Sequence, residues 1–145
     1  MGKRQSQGAG PGALSESLRA WIRLHIPGVG EPNRIRFHPC RRIPFWWIPG
    51  NRNVEGLTLW RNIYLRHSRW PIDPNDSWAI ELLFHELIHV EQFRQAPVWF
   101  PIKYLLSHIR FGYHNNPAER EDRRRAAQLT RMFFAEPLSY FSSQK

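Results

Sequence analysis

Hydrophobic side chains recur at helical spacing through one long segment in the second half of the chain. Between Ser77 and Gln95 they cover more than half of a helix circumference, at Ala79, Ile80, Leu82, Leu83, Leu87, Val90 and Phe93. Such coverage is typical of a helix that is buried on most sides. The turn-forming run Asp73-Pro74-Asn75-Asp76 precedes the segment and Pro97 follows it, so the pattern predicts a central helix over Ser77 to Gln95.

Two shorter helices are predicted on either side of the central one. The first follows Ser15, a residue suited to capping a helix, and ends before Pro27; its apolar positions are Leu14, Leu18, Trp21 and Ile22. The second lies between Pro97 and Gly112, and its apolar positions are Ile102, Leu105, Leu106 and Ile109. We expect this second apolar face to pack beside the central helix.

A last helix is predicted to begin after Asn116. Asn116 is suited to the N-cap, Pro117 to the first helical position, and Glu119 to the third position of a capping arrangement. Apolar residues continue at helical spacing as far as Phe133, and Pro137 ends the pattern. Residues 139 to 145 are expected to be a loose end.

Extended structure is predicted ahead of the central helix. Leu57 to Arg66 alternates as a strand does, with one face formed by Leu57, Leu59, Arg61, Ile63 and Leu65. Prolines interrupt residues 31–50 so often that Ile35 to Phe37 and Phe45 to Ile48 are expected to be only short extended pieces or edge strands. A small sheet with several helices predicts an α+β fold.

Length and cysteine content favour one domain without disulfides. A chain of 145 residues buries enough surface for a core, which we place in residues 14–138. Residues 1–13 have few large apolar side chains and are expected to form a disordered tail. Cys40 is the single cysteine, and neither a signal peptide nor a membrane span is apparent. These features predict a cytoplasmic protein.

The chain is strongly basic. Twenty-one Lys and Arg residues against 12 Asp and Glu give a formal net charge of +9. A charge of this sign favours polyanions and acidic substrates. Because the arginines are scattered and form no tract, we expect at most weak contact with nucleic acid or another polyanion.

The central helix carries the motif H-E-x-x-H, at His85-Glu86-Leu87-Ile88-His89. Histidines four residues apart lie on one helix face, roughly 6 Å apart, so both imidazoles can reach one Zn²⁺. Glu86 is rotated by about 100° from His85, which puts it beside the metal as a general base for water. The motif predicts a zinc site with two histidine ligands.

Catalytic zinc takes three protein ligands and leaves one position to water, so a third ligand is needed. The downstream candidates are Glu119, Glu121, Asp122, His108 and His114. Glu119 is favoured because a carboxylate in the first turn of a helix is held in one orientation.

The sequence H-E-L-I-H-V-E-Q at residues 85–92, followed by G-Y-H-N-N-P-A-E-R-E at residues 112–121, resembles the gluzincin zinc metallopeptidases. It is similar to minimal bacterial gluzincins and to a peptidase-like domain found in bacterial toxins and injection-system proteins. The upstream L-T-L-W-R-N-I-Y-L fits the same pattern, so the resemblance covers roughly residues 53–127. It implies a minimal zincin-like domain, a small sheet packed on the H-E-x-x-H helix, with Glu119 as third ligand and Glu86 as base.

One position departs from the family pattern. Many gluzincins have an acidic residue four positions after the ligand glutamate, where this chain has Arg123. Asp122 is the candidate to orient a histidine in its place. The departure leaves Glu121 open as an alternative to Glu119.

The expected function is therefore peptide-bond hydrolysis by zinc-activated water, acting on a peptide or protein. Tyr113 is the favoured donor to the developing oxyanion; Tyr104, His108 and His114 are alternatives. The edge of the Leu57 to Arg66 strand offers a place for an extended substrate. Two other functions are open: a non-catalytic binding module stabilised by zinc, and a basic protein associated with nucleic acid.

Overall fold

One helix precedes three strands, and three helices follow them, in a computed structural model that describes residues 14–45, 47, 53–112 and 116–136, without the side chain of His108. The elements are α1 Glu16–His25, β1 Arg36–Cys40, β2 Gly56–Leu59, β3 Asn62–Arg66, α2 Ser77–Gln95, α3 Trp99–Phe111 and α4 Pro117–Ala135. This mixture of helices and a small sheet is the α+β class that the sequence predicts. Both predicted tails, residues 1–13 and 139–145, lie outside the described residues.

Helix α2 has the bounds that its hydrophobic pattern predicts. Asp76 caps it, and its carboxylate accepts a hydrogen bond of 3.0 Å from the backbone N–H of Trp78. Twelve of its 19 residues are buried. The helix therefore forms the centre of the fold, and its polar residues have to be satisfied inside the protein.

Helix α1 covers one side of α2, as its own pattern predicts. Ser15 caps it by accepting a hydrogen bond from the backbone N–H of Leu18. Trp21, fully buried, stacks on Phe84 of α2 at 4.9 Å between ring centroids and meets Phe133 of α4 edge-on at 5.3 Å. These three rings, one from each of α1, α2 and α4, pack together at the end of the core near the C-terminus of α4.

The predicted single strand over Leu57 to Arg66 is wrong. The segment is a hairpin in which β2 and β3 are antiparallel and joined at Trp60 and Arg61, with Thr58 opposite Ile63 and Gly56 opposite Leu65. These four positions are buried, whereas Leu57 and Leu59 are half-exposed. The two-residue link reverses the chain, so the even positions of β2 share a face with the odd positions of β3.

Strand β1 pairs with β3 in parallel, which gives the sheet order β1-β3-β2. Pro39 lies in β1, and an edge strand tolerates a proline because one side of it makes no ladder hydrogen bonds. This confirms an edge strand near the predicted Ile35 to Phe37. Of the other predicted piece, Phe45 and Trp47 lie in turns, and residues 46 and 48 lie outside the described part.

The predicted packing of α3 is also wrong. Its apolar positions do not contact α2; they are exposed, from 46% at Ile102 to 72% at Ile109. The contact with α2 is made instead by Phe100, whose ring meets Phe93 edge-on at 4.9 Å. The helix is amphipathic, but aromatic residues on its other side take the interior position.

Helix α4 begins as the sequence predicts. Asn116 accepts a hydrogen bond of 3.0 Å from the backbone N–H of Ala118, and Pro117 is the first helical residue. The helix then packs along α2 through Ala126, Leu129 and Phe133. Among the described helices, none has the length and apolar character required to cross a bilayer.

Candidate metal centre

The two histidines of the H-E-x-x-H motif face each other on α2. Their Nε2 atoms are 3.2 Å apart, and the ring planes are almost perpendicular, at 89°. Both residues are buried, His85 at 8% and His89 at 7% exposure. Two imidazole nitrogens directed at each other inside a protein have to share a proton or a cation.

Glu119 of α4 completes the cluster. Its Oε2 lies 3.2 Å from Nε2 of His85, and its Oε1 lies 3.4 Å from Nε2 of His89. One ligand atom from each of the three residues lies within 4.8 Å of the others. Glu121 points elsewhere: its side chain is 74% exposed and lies 3.7 Å from Arg124. In the structure, therefore, Glu119 lies against the histidines, whereas Glu121 lies on the exposed side of α4.

The donor set fits a divalent cation. Two imidazoles and one carboxylate are the protein ligands of many catalytic zinc sites. Oε2 of Glu119 is buried and has no hydrogen-bond partner among the described residues, although it faces the ring of His85. A buried carboxylate oxygen left in this way costs free energy unless a cation satisfies it. Of the other candidate ligands, His114 and the side chain of His108 lie outside the described part.

A chain of hydrogen bonds orients His89. Its Nδ1 lies 2.9 Å from Oε1 of Gln92, and Nε2 of Gln92 donates to Oδ1 of Asp122 at 2.9 Å. An amide oxygen only accepts, so Nδ1 of His89 is the protonated nitrogen and Nε2 keeps its lone pair for a metal. Asp122 itself is 3.7 Å from Nδ1 and acts mainly through Gln92. The sequence pointed to Asp122 but missed Gln92.

Tyr104 of α3 contacts the same carboxylate. Its hydroxyl donates a hydrogen bond of 2.6 Å to Oε1 of Glu119. The ring also meets His89, with centroids 5.9 Å apart. Tyr104 was one of the candidate oxyanion donors, and here its hydroxyl holds the carboxylate of Glu119 instead. Tyr113, the favoured donor, lies outside the described residues.

Glu86 lies on the sheet side of α2 and is 3% exposed. Thr58 of β2 donates a hydrogen bond of 2.6 Å to its Oε2. Gly56 leaves room for the carboxylate, since a β-carbon at this position would lie 2.7 Å from Oε1. The sequence did not point to either residue. In a single continuous strand Thr58 lies on the face opposite Ile63 and Leu65, whereas in the hairpin Thr58 and Gly56 share the buried face with them.

The electrostatics of the cluster favour a charged carboxylate beside a charged imidazole in the absence of metal. Burial alone would lower the pKa of His89, but the carboxylates of Glu119, Glu86 and Asp122 raise it to about 9. Burial alone would raise the pKa of Glu119, but the neighbouring imidazoles of His85 and His89 hold it well below its usual range. Burial raises the pKa of Asp122, against the pull of His89. The site stabilises positive charge.

A cleft of about 270 Å³ opens beside the cluster. It runs between β2 and α2 and reaches α4; the residues that bear on its chemistry are Glu55, Gly56, Glu81, His85, Glu86 and Arg123. Of β2, only its first residue, Gly56, lines the cleft, together with residues 53–55 just before the strand. A ligand in the cleft would therefore contact the start of β2, Glu86 and His85 together.

Comparison with protein-family models, with characterised proteins and with solved structures finds no match to this chain. The function has to be argued from the geometry of the site.

Proposed function

We propose that the protein is a zinc-dependent peptidase with a minimal zincin-like arrangement of the gluzincin type. One observation carries the proposal: His85, His89 and Glu119 converge from two helices, and Glu86 lies next to them without joining the cluster. A structural zinc site uses four protein ligands, whereas three ligands with a neighbouring carboxylate are typical of hydrolysis.

In this proposal His85, His89 and Glu119 hold the ion. Bound there, Zn²⁺ would polarise the carbonyl of the scissile bond and would lower the pKa of water. Glu86 accepts a proton from the water that attacks the carbonyl and delivers it to the leaving amine. Since Thr58 holds Oε2, we assign the proton transfer to Oε1. Gln92 accepts from Nδ1 of His89 and so leaves Nε2 free to bind the ion.

The substrate in this proposal is an extended peptide. An edge strand binds such a peptide through backbone hydrogen bonds, β2 is an edge strand, and the cleft leads from its first residue, Gly56, to Glu86. Strand β2 is only four residues long, so it can pair with a few substrate residues on one side of the scissile bond. The short strand favours a peptide or an unfolded segment over a folded protein.

The test is a comparison of zinc-loaded wild type with Glu86→Gln and with Glu121→Gln as a matched control on the exposed side of α4. Cleavage of a diverse peptide library is followed by mass spectrometry, and zinc content by metal analysis. We expect Glu86→Gln to keep its zinc and to lose on the order of 10² to 10⁴ in rate. Glu121→Gln should match wild type.

Two results would contradict the proposal. Cleavage that persists unchanged in Glu86→Gln would assign the activity to another base or a contaminant. A zinc-loaded wild type that cleaves nothing would favour the zinc-stabilised binding module.

A further inference from the structure

Helix α3 exposes a continuous apolar surface, which we call the α3 face. It consists of Trp99, Ile102, Leu105, Leu106 and Ile109, with exposures of 63%, 46%, 55%, 61% and 72%. At 100° per residue these five positions fall within about 120° of the helix circumference. Large apolar side chains that are exposed singly need no explanation, but a contiguous set marks an interaction surface.

Contacts on the opposite side of the helix hold α3 in an orientation that exposes the α3 face. Phe100 packs on Phe93, Tyr104 donates to Glu119, and Ser107 donates to Asn116 at 3.0 Å. These contacts occupy the side of α3 that faces the metal centre. The helix therefore cannot turn its apolar side inward without giving up the hydrogen bond to a proposed metal ligand.

Positive charge lies along one margin of the α3 face. Lys103 and Arg110 are exposed and lie next to the apolar positions on the helical wheel. The sequence contains no Asp or Glu between Gln92 and Ala118, and the whole chain carries a formal +9. An apolar strip with basic residues at its margin complements a surface that is apolar inside and anionic outside.

The tip of the β2–β3 hairpin adds a second aromatic residue beside this surface. Trp60 is 50% exposed, and its Nε1 donates a hydrogen bond of 3.1 Å to the carbonyl of Pro97, two residues before α3 begins. Its φ of 56° is the positive value that the two-residue turn between β2 and β3 requires. Tryptophan is also the residue that is enriched at the boundary between lipid and water.

We propose that the α3 face and Trp60 bind the surface of an anionic phospholipid bilayer, with α3 lying parallel to it. The apolar side chains enter the region between headgroups and acyl chains, and Lys103 and Arg110 contact lipid phosphates. A second copy of the chain is a poorer occupant, because two surfaces of the same positive charge repel each other. This proposal stands apart from the peptidase proposal, since it uses the outer side of α3.

The test is sedimentation of the full-length protein with vesicles of phosphatidylcholine alone and of phosphatidylcholine mixed with phosphatidylserine. We expect binding to the mixed vesicles that weakens as salt is added, and little binding to phosphatidylcholine. Ile109→Glu should weaken this binding by about tenfold or more, because it removes an inserted side chain and adds a repelled charge. Leu24→Glu, at a residue of α1 that is 63% exposed, is the matched control and should bind as wild type does.

Circular dichroism of Ile109→Glu verifies that the helices are intact. Three outcomes overturn the proposal: folded wild type that sediments with neither vesicle, binding that is equal for the two vesicle types, or binding that Ile109→Glu leaves unchanged. Analytical ultracentrifugation provides an independent measurement. A dimer of wild type that Ile109→Glu dissociates would assign the α3 face to self-association and also overturn the lipid proposal.

Discussion

Thr58 donates a hydrogen bond of 2.6 Å to Oε2 of Glu86, and so connects the edge strand of the sheet to the carboxylate beside the metal cluster. The two residues are 28 positions apart in sequence, and both are buried. A carboxylate held at one oxygen keeps one orientation. Thr58 is therefore a positioning residue for the base in the proposed reaction.

Replacement of Thr58 by Val tests this role. The two side chains have similar shapes, so we expect the zinc content to be unchanged and the rate of peptide hydrolysis to fall by about tenfold or more, since Glu86 loses its orientation. Thr130→Val is the matched control, because Thr130 is also buried and donates to a backbone carbonyl, that of Ala126, away from the cluster. An equal loss of activity in both variants would indicate a general effect on folding.

The identity of the third ligand is a second prediction. Glu119→Ala should strip the metal from a protein that otherwise holds about one zinc per chain, because the cluster keeps only two histidines. Glu121→Ala should leave it bound, since that side chain is exposed. Metal analysis after dialysis measures both. Loss of zinc in Glu121→Ala but not in Glu119→Ala would place the ligand two residues further along α4.

Gln92 provides a third prediction. Gln92→Leu keeps the side-chain volume but removes the acceptor for Nδ1 of His89 and the donor to Asp122. Loss of such an outer hydrogen bond costs about 10- to 100-fold in metal affinity. Gln95→Leu, at an exposed position of the same helix, is the control. Competition with a zinc-binding dye measures the dissociation constants. Equal zinc affinities of Gln92→Leu and wild type would show that Gln92 does not support the metal site.

The fourth prediction concerns pH in the metal-free protein. The pKa of His89 is raised from 6.5 to about 9. Because the folded state binds this proton more tightly, the stabilisation is fully present below pH 6.5 and is lost as the pH rises through about 9. The free energy of unfolding should therefore fall over this range, as measured by urea titration in the presence of a chelator.

His89→Ala should abolish most of that pH dependence, because it removes the imidazole whose pKa the carboxylates of Glu119, Glu86 and Asp122 raise. Zinc should show the opposite trend, with affinity that increases with pH as the proton leaves His89. A metal-free protein that is equally stable across the range would contradict the assignment of a shared proton in the cluster.

Local signals in the sequence were sufficient for much of the fold. The bounds of α2 and the caps at Ser15, Asp76 and Asn116 agree with the structure. A cap and a hydrophobic period depend on residues within a few positions of each other, so the sequence records them directly. The same holds for the pair His85 and His89, whose separation is set by the helix itself.

Features that depend on distant residues were not predictable in this way. The hairpin was mistaken for one strand because Leu57 to Arg66 alternates without a glycine or asparagine at the turn, where Trp60 takes the positive φ. The orientation of α3 was wrong because Phe100 and Tyr104 compete with its aliphatic residues for the interior, and only the position of Glu119 decides between them. The α+β class did not depend on either feature.

Gly56 and Thr58 give strand β2 a recognisable sequence pattern. Any larger side chain there would occupy the space of the Glu86 carboxylate, which Thr58 prevents from swinging away. The short pattern Gly-x-Thr, placed about 30 residues before H-E-x-x-H, therefore belongs to the same structural unit as the motif. Distant relatives can be sought with the two patterns together. In a chain that keeps the histidines but has a bulky residue in place of the glycine, we expect a smaller residue in place of Glu86.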